Sequence, residues 1–116
     1  MRARILKTAM IVGLFLIPTA SLGESFTVRA TDDDKWRPAR REIHKNDKVV
    51  WRNPTSSFHN VTAYGSNWNK VAPLESGERT SKTFRKRGTY KYVCTEHGDV
   101  VAGQCNGMCG KIKVLR

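Results

Sequence analysis

From Ser25 onward the chain repeatedly alternates apolar with polar residues, and a period of two admits few folds. Phe26, Val28 and Ala30 alternate with Thr27 and Arg29, and Val49 and Trp51 with Lys48, Val50 and Arg52. Tyr90, Tyr92 and Cys94 share one face while Lys91 points the other way, and Ile112 and Val114 alternate with Lys111 and Lys113. Successive side chains of a strand leave on opposite sides, so this pattern predicts strands with one buried face. Asn46-Asp47, Asn53-Pro54, Ser76-Gly77 and Arg87-Gly88 supply turn chemistry between them. No stretch of ten or more residues carries an apolar stripe at helical spacing. Short strands with turns at roughly 8–12-residue spacing predict an antiparallel sandwich or small barrel.

The first residues read differently. Arg2, Arg4 and Lys7 precede an apolar run from Ala9 to Ile17, followed by Pro18 and the small-residue stretch Thr19 to Gly23. A basic start, a short apolar centre and a small-residue cleavage zone make a secretory signal over 1–23, cut before Glu24. The run is too short for the bilayer, which needs about 20 apolar residues. No cysteine follows it to carry a lipid. The expected product is an exported chain, periplasmic or extracellular, with no transmembrane segment left after cleavage. Residues 24–116 suffice for one domain with one modest core. Losing three basic residues with the leader leaves 18 basic against 10 acidic residues, a net charge of +8. Such a surface favours acidic partners, and export makes nucleic acid an unfitting one.

All three cysteines lie within Cys94 to Cys109, together with His97 and Met108. An odd count in an exported protein leaves one thiol over after any disulfide. Cys105 and Cys109 bracket Asn106-Gly107-Met108, a stretch expected to be loop, and a looped segment of that length can bring two Cα atoms within the roughly 7 Å a disulfide needs. Cys94 is then the free thiol, in phase with the core face of its strand and three residues before His97. Metal ligation would protect it from oxidation. His59 in Phe58-His59-Asn60-Val61 and Met108 before the last strand extend the set. One thiolate, two imidazoles and a thioether are the donors of a blue-copper electron-transfer site.

With those residues in view, the chain resembles the plastocyanin-like cupredoxins, the small type 1 copper proteins, over essentially all of 24–116. The resemblance is carried by Val49-Val50-Trp51-Arg52-Asn53, Phe58-His59-Asn60-Val61, Gly88 to Cys94, the Cys94-x-x-His97 spacing, and Met108-x-Gly110-x-Ile112-x-Val114. It implies an all-β Greek-key sandwich with one mononuclear copper in the loops at one end. It also implies that His59, Cys94 and His97 are the strong ligands, Met108 is the weak axial one, and Asn60 ties the ligand-bearing loops together. The sequence departs from the family in one place. Ten residues, Gly98 to Gly107, separate His97 from Met108, and they are read as an inserted loop pinned by a Cys105–Cys109 bridge.

The expected function is single-electron shuttling between redox partner proteins, which would carry acidic docking surfaces and meet this chain as a monomer. A copper carrier or buffer would use similar ligands. A structural zinc site from Cys94, His97, Cys105 and Cys109 is a third reading, though it leaves His59 unused. An enzyme is disfavoured, since two candidate histidines are too few for a multicopper cluster and no paired carboxylates or nucleophile–base set appears. His44 is expected on the surface. Asp32-Asp33-Asp34 is expected to be a solvated turn rather than a calcium site, because three consecutive acids cannot all face one ion.

Overall fold

A computed structural model describes residues 23–116, so the expected export signal lies almost wholly outside the described residues. Nine strands follow one another: β1 (Ser25–Ala30), β2 (Trp36–Arg37), β3 (Arg40–His44), β4 (Lys48–Arg52), β5 (His59–Tyr64), β6 (Val71–Leu74), β7 (Arg79–Thr83), β8 (Gly88–Val101) and β9 (Gln104–Leu115). They form two sheets, ordered β2-β1-β4-β7 and β3-β9-β8-β5-β6. The molecule is the all-β sandwich that the alternation implies, and the described residues include no helix.

The pairing is less uniform than expected. β1 runs parallel to β4, and β3 runs parallel to β9, while the other pairs are antiparallel. The reason is connectivity. Between β1 and β4 the chain crosses to the second sheet to lay down β3 and then returns in its original direction. Alternation reports which face is buried but carries no information on strand direction.

The alternating apolar residues meet between the sheets. Val28, Val49 and Trp51 from one sheet pack with Val61, Tyr92 and Ile112 from the other, all fully buried. Trp51 sits at the centre, with its ring edge against Tyr92 at 5.3 Å and roughly stacked with Trp68 at 6.4 Å. Burying a large apolar side chain stabilises by about 1.5–3 kcal/mol. A handful of such aromatics therefore supplies much of the cohesion of so short a domain. Turns are fixed by polar groups: Asn46 adopts φ 78°, and the Asp47 carboxylate accepts the amides of His44 (2.8 Å) and Glu24 (2.9 Å).

The stretch between His97 and Met108 is a strand hairpin rather than a loop. β8 and β9 pair through Gly98↔Gly107 out to Val101↔Gln104 and turn at Ala102-Gly103, both at positive φ. Cys105 and Cys109 therefore lie within β9, contrary to the expectation of a loop there. Glycine and asparagine content suggested irregular backbone at this point. Cross-strand pairing with a neighbour only a few residues away in sequence overrode it, because a two-residue turn closes at little entropic cost.

Candidate metal centre

β5 and β8 are neighbours in one sheet, and their inward phases deliver the site. His59 opens β5 and is fully buried, and Cys94 follows Tyr90 and Tyr92 on the inner face of β8, also fully buried. His97 lies one turn of chain further on, with about a quarter of its side chain exposed. Cys94 Sγ stands 3.7 Å from His59 Nδ1 and 3.6 Å from His97 Nδ1. One donor atom from each of the three falls within 4.8 Å of the others. The two imidazole rings lie 4.8 Å apart, centre to centre.

A mismatch in the β8–β9 ladder places Met108 across from this stretch. Val93 pairs with Cys109 and Gly98 with Gly107, so Cys94 to His97 on one strand face Met108 alone on the other. A bulge of this kind bends its strand and re-aims side chains. Here it leaves room for Cys94 and His97 to turn toward the same side, with Met108, fully buried, opposite them. Two residues without side chains allow the strands to close again beyond it. A Cβ on Gly98 would come within 2.8 Å of the Met108 nitrogen, and one on Gly107, at φ 94°, would collide with the His97 carbonyl. Cys105 and Cys109 are joined by a disulfide that straddles Met108. The zinc set of Cys94, His97, Cys105 and Cys109 is therefore not assembled, because two of its three thiols are spent on each other.

Each histidine is held by its other nitrogen. His59 Nε2 lies 3.2 Å from the Thr55 hydroxyl, which itself donates to Asn53 Oδ1 at 2.7 Å. With the hydroxyl hydrogen committed to Asn53, Thr55 accepts from His59 Nε2–H. That tautomer leaves the Nδ1 lone pair free and aimed at Cys94. His97 Nε2 faces Asp34 Oδ1 at 3.5 Å. Burial first, and then the positive charge His97 can carry, push the His59 imidazole below its ordinary pKa, while Asp34 works weakly against them. A neutral imidazole is the form that can donate a lone pair.

Asn60 faces away from the core and bridges 35 residues of sequence. Its amide donates to Thr95 Oγ1 (2.9 Å) and its carbonyl accepts the Thr95 amide (3.1 Å), tying β5 to the segment between Cys94 and His97. Asn53, fully buried, does comparable service below His59: its amide donates to Ser57 O (2.7 Å) and Leu74 O (2.9 Å), and its carbonyl takes the Thr55 amide (3.0 Å). Sequence reasoning placed no role on Thr55, and it read Asp34 as part of a solvated turn. A polar Asn-x-Thr beside a candidate ligand was the available signal for Thr55. Asp34 carried none, since its contact with His97 exists only because the turn between β1 and β2 meets β8 at its bulge.

The donor set fits copper. A buried thiol that makes no disulfide, with two imidazole lone pairs converging on it, combines the soft ligand suited to Cu(I) with nitrogen ligands that serve Cu(II). Comparison with known proteins points the same way. Residues 24–115 match the family model for copper binding proteins of the plastocyanin/azurin family. A novel purple cupredoxin from Nitrosopumilus maritimus superposes with a TM-score of 0.60 at 23% identity, over 78% of this chain and 99% of that one. An oxidised methionine-to-lysine variant of amicyanin gives 0.65 at 23% identity, over 78% and 82%. A copper-containing nitrite reductase from Thermus scotoductus SA-01 gives 0.66 at 24% identity over 79% of this chain, which spans only 22% of that one. Among curated proteins none matches.

Proposed function

This chain belongs to the plastocyanin/azurin family of copper-binding proteins, and on that premise we propose that it shuttles single electrons between redox partner proteins. Bound copper supplies a one-electron couple between Cu(II) and Cu(I). In this reading Cys94 would supply the thiolate, His59 and His97 the imidazoles and Met108 a weak thioether. The observation that carries the proposal is the preassembly of the donors. The thiol and both Nδ1 atoms already converge, and the far side of each ring is held by Thr55 or Asp34. Ligands fixed in this way need little rearrangement when the oxidation state changes, which favours electron transfer over uptake and release of the ion. Full burial of His59, Cys94 and Met108 argues against substrate chemistry at the site. The nitrite reductase likeness concerns a fifth of that protein and carries the fold alone.

We further propose that residues 1–23 are a cleaved export signal and 24–116 the mature domain, a monomer in the periplasm or outside the cell. The family match begins at Glu24, at the proposed cut. The Cys105–Cys109 disulfide suits an oxidising compartment.

The test is to load the mature protein with Cu(II), record its visible spectrum and cycle it by voltammetry. Electron transfer requires an intense sulfur-to-copper absorption that bleaches on reduction and returns on oxidation. Cys94→Ser should remove that band while circular dichroism stays native. Tight Cu(I) binding without the band would replace electron transfer by copper carriage.

A further inference from the structure

The outer face of the four-stranded sheet carries a charge arrangement that the metal centre does not explain. Val28, Val49 and Trp51 point inward, so Arg29 and Arg52 point out. Trp36 points inward, so Arg37 points out. The register then aligns Arg37 with Arg29, Arg29 with Arg52, and Arg52 with Arg79. Four exposed arginines stand abreast across all four strands, in steps of about 4.8 Å. The next rows of the same face are uncharged or nearly so: Thr27, Val50 and Ser81, then Ser25, Lys48 and Thr83.

Like charges directly opposite one another on neighbouring strands are destabilising, so the row costs this protein stability. Little within the molecule offsets that. Among the described residues the ion pairs are Arg37–Asp33 at 3.6 Å, with both groups more than half exposed, and His97–Asp34. The nearby carboxylates also have partners elsewhere. Asp33 also accepts the Thr31 hydroxyl, and Glu78 accepts the Glu75 amide.

The row also lies at one particular end of the sandwich. Arg52 precedes Asn53 and Thr55, which hold His59. Arg29 leads through Thr31 to Asp34, which faces His97. Arg79 follows Glu78, whose carbonyl accepts the Asn53 amide at 2.9 Å. Trp36, beside Arg37, lies 6.3 Å from the His59 ring. The row therefore crosses the sheet near the metal centre, at its own edge on β2 one residue behind Trp36.

We propose that this arginine row is the docking surface for an acidic partner protein, and that it seats the partner beside the metal end. The inference rests on the electron-transfer reading for what the partner does, but the binding itself does not depend on it. Guanidinium forks pair with carboxylates in two-point fashion, which lysines cannot do, and a linear row matches a strand or helix edge bearing acids. Such contacts steer association and fix orientation, and salt weakens them.

The test uses the copper-loaded protein and poly-L-glutamate as the acidic probe, with calorimetric titration at low salt and at about 0.15 M salt. Arg29→Glu/Arg52→Glu is compared with Lys111→Glu/Lys113→Glu, an equal change of charge on the outer face of the other sheet. Arg29→Gln/Arg52→Gln replaces the first pair if circular dichroism shows that it does not fold. The proposal expects the arginine pair to weaken binding about tenfold or more and the lysine pair to change it by less than about threefold. Equal losses from both pairs would show that net charge, not this face, binds acids and would overturn it. So would an arginine effect seen only with anionic phospholipid vesicles and not with polyglutamate. The visible band and reduction potential of the arginine variants should match the parent. A parent lacking a reversible couple but binding polyglutamate through the arginines would sink the electron-transfer reading and leave the docking surface standing.

Discussion

The segment that carries His59 and the hairpin that carries Cys94, His97 and Met108 meet at one site, but different forces hold them in place. Below His59 the backbone between β4 and β5 is irregular, and its shape comes from side chains: Asn53 makes four hydrogen bonds to Ser57, Leu74 and Thr55. In the hairpin the shape comes from the backbone itself. A ladder mismatch, two positions where a Cβ would not fit and a disulfide across Met108 set the geometry. The first region is as rigid as its buried polar network is complete. The second is rigid because the alternatives are sterically closed. One site thus shows two ways of fixing a ligand, and each fails in its own manner.

The sharpest way to break the comparison is Gly107→Ala. The new methyl meets the His97 carbonyl at a backbone angle L-residues rarely adopt, and about 2–4 kcal/mol of stability should go. Chemical denaturation measures it, and a loss below about 1 kcal/mol would mean that the bulge is soft. Asn53→Ala comes next, taking away the partners it gives the buried Leu74 carbonyl and Thr55 amide, at about 2–3 kcal/mol. Amide hydrogen exchange should rise around Thr55 to His59 and not in the hairpin; a uniform rise would erase the distinction between the two regions. Thr55→Val keeps the shape and removes the acceptor for His59 Nε2–H, together with the hydroxyl's own bonds to Asn53 and Ser57. Copper affinity, read by chelator competition, should fall about 10- to 100-fold with the fold intact. The smallest effect belongs to Asp34→Asn. Its contact with His97 is part-exposed and 3.5 Å long, worth about 1 kcal/mol or less, so affinity should change by no more than about fivefold. If Asp34→Asn outweighed Thr55→Val, the exposed histidine would be the one under tighter control.

How far the sequence revealed this division depends on range. Alternation was enough for Val49-Trp51, Tyr90-Tyr92-Cys94 and Ile112-Val114 to declare strands and an inner face, because a period of two is local. Cys94 and His97 announced each other three residues apart, and His59 stood out by its setting in Phe58-His59-Asn60-Val61. The parallel pairing of β1 with β4 was not visible, since it follows from a detour of the chain rather than from any residue in either strand. Nor was the strand character of Gln104 to Cys109. Asn106-Gly107 reads as a turn, yet the mismatch at Val93 and Gly98 uses that freedom inside a ladder. The arginine row was hidden for a similar reason. Arg29, Arg37, Arg52 and Arg79 are scattered over fifty residues, and only register makes them neighbours.

The arm beyond the bulge has a consequence for how such a protein can vary. Pairing resumes at Gly98↔Gly107 and continues regularly for four pairs to the turn at Ala102-Gly103. Lengthening it by two residues on each strand at the tip keeps the same faces inward and outward and displaces none of Cys94, His97 or Met108. Arm length is therefore a free parameter in evolution, uncoupled from the ligands that flank its base. A recognition peptide or a spectroscopic probe grafted at Ala102-Gly103 would ride on the site without entering it.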